Sequence, residues 1–190
     1  MNQDEYFSVH AGLTLNVEPL APDESVPEQA DFIAEIPPLF RVASECSSLD
    51  DDLERALTHF SKPEATGLTQ YLAAQNSKIN LLLSFVLAQQ DDPTQRYTTH
   101  TFGASRLTYG ASQPLATGTA VRLKIFLDNP AAAVYAYAEV TDCHTEHDLV
   151  TVHLRYTRLT EEDQDLLIRA ALLFQQKILR QRAQQRSEHQ

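Results

Sequence analysis

The chain has 190 residues, 43% of them hydrophobic, and a formal net charge of −11. That is enough apolar mass for one core with appended helices, and the negative charge speaks against general binding to phosphate backbones. Cys46 and Cys143 are far apart and read as free thiols rather than a disulfide. The opening stretch, MNQDEYFSVH, has neither a basic nor an apolar signal region. The longest apolar run, residues 79–88, is too short to span a bilayer. These features imply a soluble, cytoplasmic protein with no nucleic-acid partner and no membrane insertion.

Residues 1–45 carry Pro19, Pro22, Pro27, Pro37 and Pro38 and read as a proline-rich extended arm. Leu13, Leu15 and Val17 alternate with polar neighbours there, which suits one short edge strand. Residues 46–92 read as a helical hairpin. Ser48 stands three before Asp51, a capping-box-like start, and Leu49, Leu53, Ala56, Leu57 and Phe60 recur at helical spacing up to Pro63. A second helix is predicted from about 65 to 90, with Leu68, Tyr71, Leu72, Ile79, Leu82, Leu83 and Val86 apolar, and Pro93 stops it.

Residues 93–159 change period. Val121, Leu123, Ile125 and Leu127 alternate with Arg122, Lys124 and Phe126. Val134, Ala136, Ala138 and Val140 alternate with Tyr135, Tyr137 and Glu139, and Val150, Val152, Leu154 and Tyr156 with Thr151, His153 and Arg155. A period of two means strands with one buried face. Several in a row, joined by hairpin connections at 128–130 and 142–148, imply an antiparallel barrel or sandwich.

Residues 160–190 read as a long oligomerising helix with a basic tail. Thr160 is the expected N-cap, Asp163 its reciprocal partner, and the helix is predicted from about 161 to 185. At 1.5 Å per residue this is about 35 Å, more than a small barrel needs as a lid. Leu167, Ala171, Phe174 and Ile178 are spaced as a heptad seam, with Leu166, Ala170 and Leu173 as a second stripe. Two stripes imply two contacts, one with the barrel and one with another copy of the chain.

Chemistry-bearing clusters are few. CHTEHD, residues 143–148, holds a Cys, two His, a Glu and an Asp, but it lacks the HExxH pattern and reads as a polar turn, so no metal is assigned. His100 and His153 read as strand residues near the surface. The chain has neither GxGxxG nor GxxxxGK[ST] and no recognisable nucleophile elbow. The sequence therefore reads as that of a non-enzyme without a cofactor.

The order of parts does point to a family. A serine-bearing strand pair in HTFGASRLTYGASQPLATG leads into AVRLKIFL, then AVYAYAEV, then LVTVHLRYTRL, then TEEDQDLLIRAALLFQQKILRQR. This resembles a PilZ domain, the barrel module of bacterial cyclic di-GMP signalling. In particular it resembles the atypical branch, whose members carry extra helices before the barrel and a long heptad helix after it and assemble as tetramers. The resemblance implies an α+β fold: a PilZ-like antiparallel β-barrel preceded by a helical hairpin and followed by a long C-terminal helix.

Ordinary PilZ domains grip cyclic di-GMP with an RxxxR segment and a [D/N]xSxxG loop. Paired arginines offer bidentate contacts to phosphate and stack on guanine. With Ser105 at the motif serine, Gly103 falls at the acid or amide position and Thr108 at the glycine. Arg96 and Arg106 are the nearest basic residues, and His100, not arginine, follows Arg96 by four. The resemblance thus implies a degenerate loop and a signalling or adaptor protein, a homo-tetramer with a protein partner in motility, adhesion or biofilm formation. Two alternatives stand beside it: a cyclic di-GMP receptor with a displaced or inter-subunit site, and an unrelated barrel enzyme with a helical lid.

Overall fold

The structure is a computed structural model that describes residues 8–57, 66–128, 130–147 and 149–188. In chain order its elements are β1 (Ser8–His10), β2 (Thr14–Pro19), α1 (Gln29–Glu35), α2 (Pro38–Leu57) and α3 (Thr66–Ala88). Next come β3 (Arg96–Gly103), β4 (Arg106–Ala111), β5 (Ala120–Asp128), β6 (Ala131–Glu146), β7 (Leu149–Arg158) and α4 (Glu161–Glu188).

The strands form one antiparallel sheet that closes on itself. From β3 the line runs β2, β5, β6, β7, β4 and back to β3. β1 and β2 share one edge of β3, pairing with its last and first residues in turn. They act as a single broken stave, and Thr99 of β3 repairs the break. Its hydroxyl accepts a hydrogen bond from Leu13 N at 2.8 Å and donates to Ala11 O at 2.7 Å. Closure pairs both edges of β2, β4, β5, β6 and β7, and among the described residues only the short β1 keeps one edge without a strand partner.

Alternation along the strands fills the interior. Leu15, Val17, Leu107, Tyr109, Leu123 and Ile125 are among its buried side chains. Gly118, with φ of 87°, lies in the left-handed region in the turn before β5, and its N–H donates to Val140 O at 2.8 Å. A β-carbon there would be strained. One end of the barrel is covered by α4, whose Leu166, Leu167, Ala170 and Ala171 join the same core.

A second core lies outside the barrel. Phe32 of α1, Ile36 just after it, Phe40 and Ala43 of α2 and Leu87 of α3 bury the outward residues Phe126, Ala133, Tyr135 and Tyr137. Strand β6 is therefore buried on both faces over residues 131–138, where its sequence implied one. Tyr137 donates to Glu35 Oε2 at 2.6 Å, and Arg122 Nε donates to Tyr137 Oη at 3.2 Å. These bonds satisfy the polar ends of rings whose bodies are buried.

The start of the chain departs from the expected arm over residues 1–45. Its described part holds two strands and two helices, and β2 lies between β3 and β5 rather than at an edge. Pro38 is the first residue of α2, where its fixed φ suits a helix and its missing N–H costs nothing. The expected boundary at 46 falls inside that helix, and Ser48 is an interior helical position rather than a start. The expected stop at Pro63 lies outside the described residues, as does Phe60. The helix expected over 65–90 is observed as Thr66–Ala88. Among the described residues no helix is long and apolar enough to cross a membrane.

Candidate functional site

The loop singled out by sequence is a tight hairpin between β3 and β4. Phe102 pairs with Leu107 and Thr101 with Thr108, leaving Ala104 and Ser105 at the bend. Both bend carbonyls are taken. Ser105 O accepts from Tyr156 N of β7 at 3.0 Å, and Ala104 O accepts from Gln164 Nε2 of α4 at 3.3 Å. The Thr108 hydroxyl is 2.9 Å from that of Thr101, so it is engaged across the strand pair. Gly103 is the buried last residue of β3.

Arg96 does not join this loop. It begins β3 while Gly103 ends it, a separation of about 23 Å along a strand. Its Nε donates to Asp91 Oδ2 at 2.7 Å, and Asp91 in turn accepts from Asn16 Nδ2 at 2.8 Å. Arg106 is at the loop, exposed, and directly across from Arg155 of β7. Arg155 is 3.5 Å from Glu139. Two arginines in register on neighbouring strands repel each other and favour an anion over them.

Helix α4 begins as the sequence implies. Thr160 Oγ1 accepts from Asp163 N at 3.0 Å. The Asp163 carboxylate also accepts from Ser44 Oγ of α2 at 3.0 Å, which ties two helices together. Burial holds this carboxyl above the usual aspartate range, against the lowering effect of the Ser44 and Thr160 hydroxyls.

The heptad seam is turned differently from expectation. Leu167 and Ala171 are buried in the chain's own barrel, and Phe174 and Ile178 pack against it half-buried. Leu167 and Ala171 therefore have no surface left for a partner, because the end of the barrel already occupies that face. Leu173 and Leu179 are exposed instead, at 50% and 57%. Helix α3 adds an apolar stripe of Leu68, Tyr71, Ile79, Leu82 and Phe85, all exposed and recurring along one face. Exposed apolar stripes of this kind are common at interaction surfaces.

The connection expected over 142–148 is mostly strand. β6 continues to Glu146, and the turn falls at His147, with φ of 48°. Pairing with β7 then brings His153 beside Asp142 and His144. The sequence places His153 in a strand near the surface but does not join it to the 143–148 cluster, because that meeting depends on register across the hairpin and not on local spacing.

No family model matches the sequence, and no curated protein matches it. Among solved structures, one from Xanthomonas campestris is similar over 92% of this chain and 91% of its own, with 14% identity and a TM-score of 0.58. It is described as a new tetrameric PilZ domain self-assembled through an unusual helical bundle. The Bacillus subtilis inhibitor of motility MotI/DgrA matches 93% of this chain with 11% identity and a TM-score of 0.49. The chain spans about half of that protein, 53% of its length. The fold defined by the barrel, its outer helices and α4 is thus that of a PilZ-domain structure.

Proposed function

We propose that this chain is a non-enzymatic PilZ-type signalling adaptor of the cyclic di-GMP network. It is degenerate at the ordinary nucleotide loop and assembles, as a tetramer, through its helices. The observation that carries the reading is the closed hairpin at 103–108. Its bend carbonyls are occupied, Thr108 is tied to Thr101, and Arg96 stands at the far end of β3 in an ion pair with Asp91. The sequence has no RxxxR pair ahead of β3 to grip a dianionic dinucleotide. The PilZ fold supports a non-catalytic role, and the uncovered stripes of α3 and α4 support self-association. A partner protein in motility, adhesion or biofilm formation rests on the family resemblance.

Calorimetric titration of the full chain with cyclic di-GMP tests the first part, and saturable micromolar binding would overturn it. Light scattering tests the second. The wild type is expected to be an oligomer, and Leu173→Asp with Leu179→Asp to release smaller species. A monomeric wild type removes the assembly reading. A second reading, a receptor with a displaced site, is favoured by Arg106 lying opposite Arg155. Binding that is lost in Arg106→Ala and Arg155→Ala would establish it.

A further inference from the structure

The hairpin of β6 and β7 gathers three metal-ligating side chains on the outer wall of the barrel. Asp142 lies directly across from His153, and His144 stands on the diagonal, across from Thr151. One donor atom from each of Asp142, His144 and His153 lies within 4.8 Å of the other two. The two imidazole rings are 5.2 Å apart, centroid to centroid, with their planes at 46°. Asp142 is held in place by its own strand: Oδ1 accepts from Cys143 N at 2.9 Å, while Oδ2 is 3.7 Å from His144 Nδ1.

A second observation is independent of this spacing. Nε2 of His153 is shut off from water and has no hydrogen-bond partner among the described residues. A buried polar atom left in that state costs about 1–3 kcal/mol and calls for an explanation. A ligand that accepts the lone pair of an imidazole nitrogen supplies one.

We propose that Asp142, His144 and His153 form a binding site for a borderline divalent transition-metal ion of the zinc class. Two imidazoles and one carboxylate are the donors such ions take, whereas magnesium and calcium prefer oxygen throughout. With metal–nitrogen bonds of about 2.0–2.1 Å, donors in a tetrahedral shell stand about 3.3 Å apart. Asp142 and His144 are exposed, so their side chains have room to turn toward a shared ion, Asp142 exchanging its bond with Cys143 N for the metal. Three protein donors leave one position open to water or to a further ligand. The net charge of −11 raises the local concentration of cations. The ion would cross-link β6 to β7 and stabilise the folded chain by binding it and not the unfolded one.

Zinc ion alone, titrated calorimetrically into the full chain, tests the site, with cobalt ion as a visible-spectrum probe. The expected result is saturable uptake, a rise in Tm with zinc, and d–d bands of a four- or five-coordinate cobalt. His153→Gln and His144→Gln are each expected to weaken binding by more than roughly 10-fold, the lower bound for loss of even an outer-shell partner. His147→Gln, at the turn and outside the cluster, is expected to leave it unchanged. Absence of saturable uptake, or wild-type affinity in both cluster variants, overturns the proposal. His144 is exposed, so its variant keeps the test valid should His153→Gln fail to fold. Circular dichroism of the metal-free variants separates lost ligands from lost folding, and no outcome depends on cyclic di-GMP.

Discussion

The ring of Phe174 stands edge-on to that of Phe102, with centroids 5.8 Å apart and planes at 85°. Phe102 is fully buried at the end of β3, so this contact fastens the middle of α4 to the barrel. It is a contact within the chain, made by a residue whose heptad spacing alone suggests a partner helix.

Phe174→Ala is accordingly expected to lower the stability of the chain. Full core removal of a phenylalanine costs about 3–5 kcal/mol, and a half-buried ring about half of that. Urea unfolding measures the loss. A variant as stable as the wild type, with only its oligomeric mass changed, would return Phe174 to an interface role.

Thr99 bridges the gap between β1 and β2 with one hydroxyl. Thr99→Val keeps the shape but leaves Leu13 N and Ala11 O without that partner, at a cost of about 2–3 kcal/mol. Thr99→Ser is expected to recover most of it. If valine and serine are equally tolerated in thermal melts, the hydroxyl is not what holds the broken stave.

Tyr156 presents the opposite case. Its hydroxyl is buried without a partner among the described residues, and burial pushes its pKa up. Removing it in Tyr156→Phe is expected to stabilise the chain by about 1 kcal/mol. A clear fall in the urea midpoint would mean that the hydroxyl is engaged in solution.

Asp163 gives a pH signature. Its folded pKa is raised, chiefly by desolvation, so the native state holds the proton more tightly than the unfolded one. The stability linked to this group is greatest below the ordinary aspartate pKa and falls as pH rises through the raised value. Asp163→Asn keeps an acceptor for Ser44 and carries no charge. The difference in Tm, variant minus wild type, is therefore expected to be larger at pH 7 than at pH 4. Equal differences at the two pH values would contradict the raised pKa.

Local patterns are readable in the sequence, and long-range ones are not. The alternation in β5 and β7 and the Thr160 cap depend on neighbours a few positions away, and both appear in the structure. The second buried face of β6 depends on α1 and α2 lying over Tyr135 and Tyr137, which no period along β6 reports. Periodicity places Leu167, Ala171, Phe174 and Ile178 on one face of α4 but cannot say what that face meets. The gathering of His144 and His153 is set by a strand register. Pro37 and Pro38 suggest extended chain by themselves, and only the helical residues beyond them make Pro38 a helix start.

The position of β2 also orders events in time. Thr14 pairs with Phe126, about 110 residues further on, and synthesis at ~5–20 residues per second separates the two by roughly 5–20 s. During that interval β2 has no β5 to join, and α1, α2 and α3 have no β6 to lie against. The first half of the chain thus emerges as a set of parts whose common surface is made later.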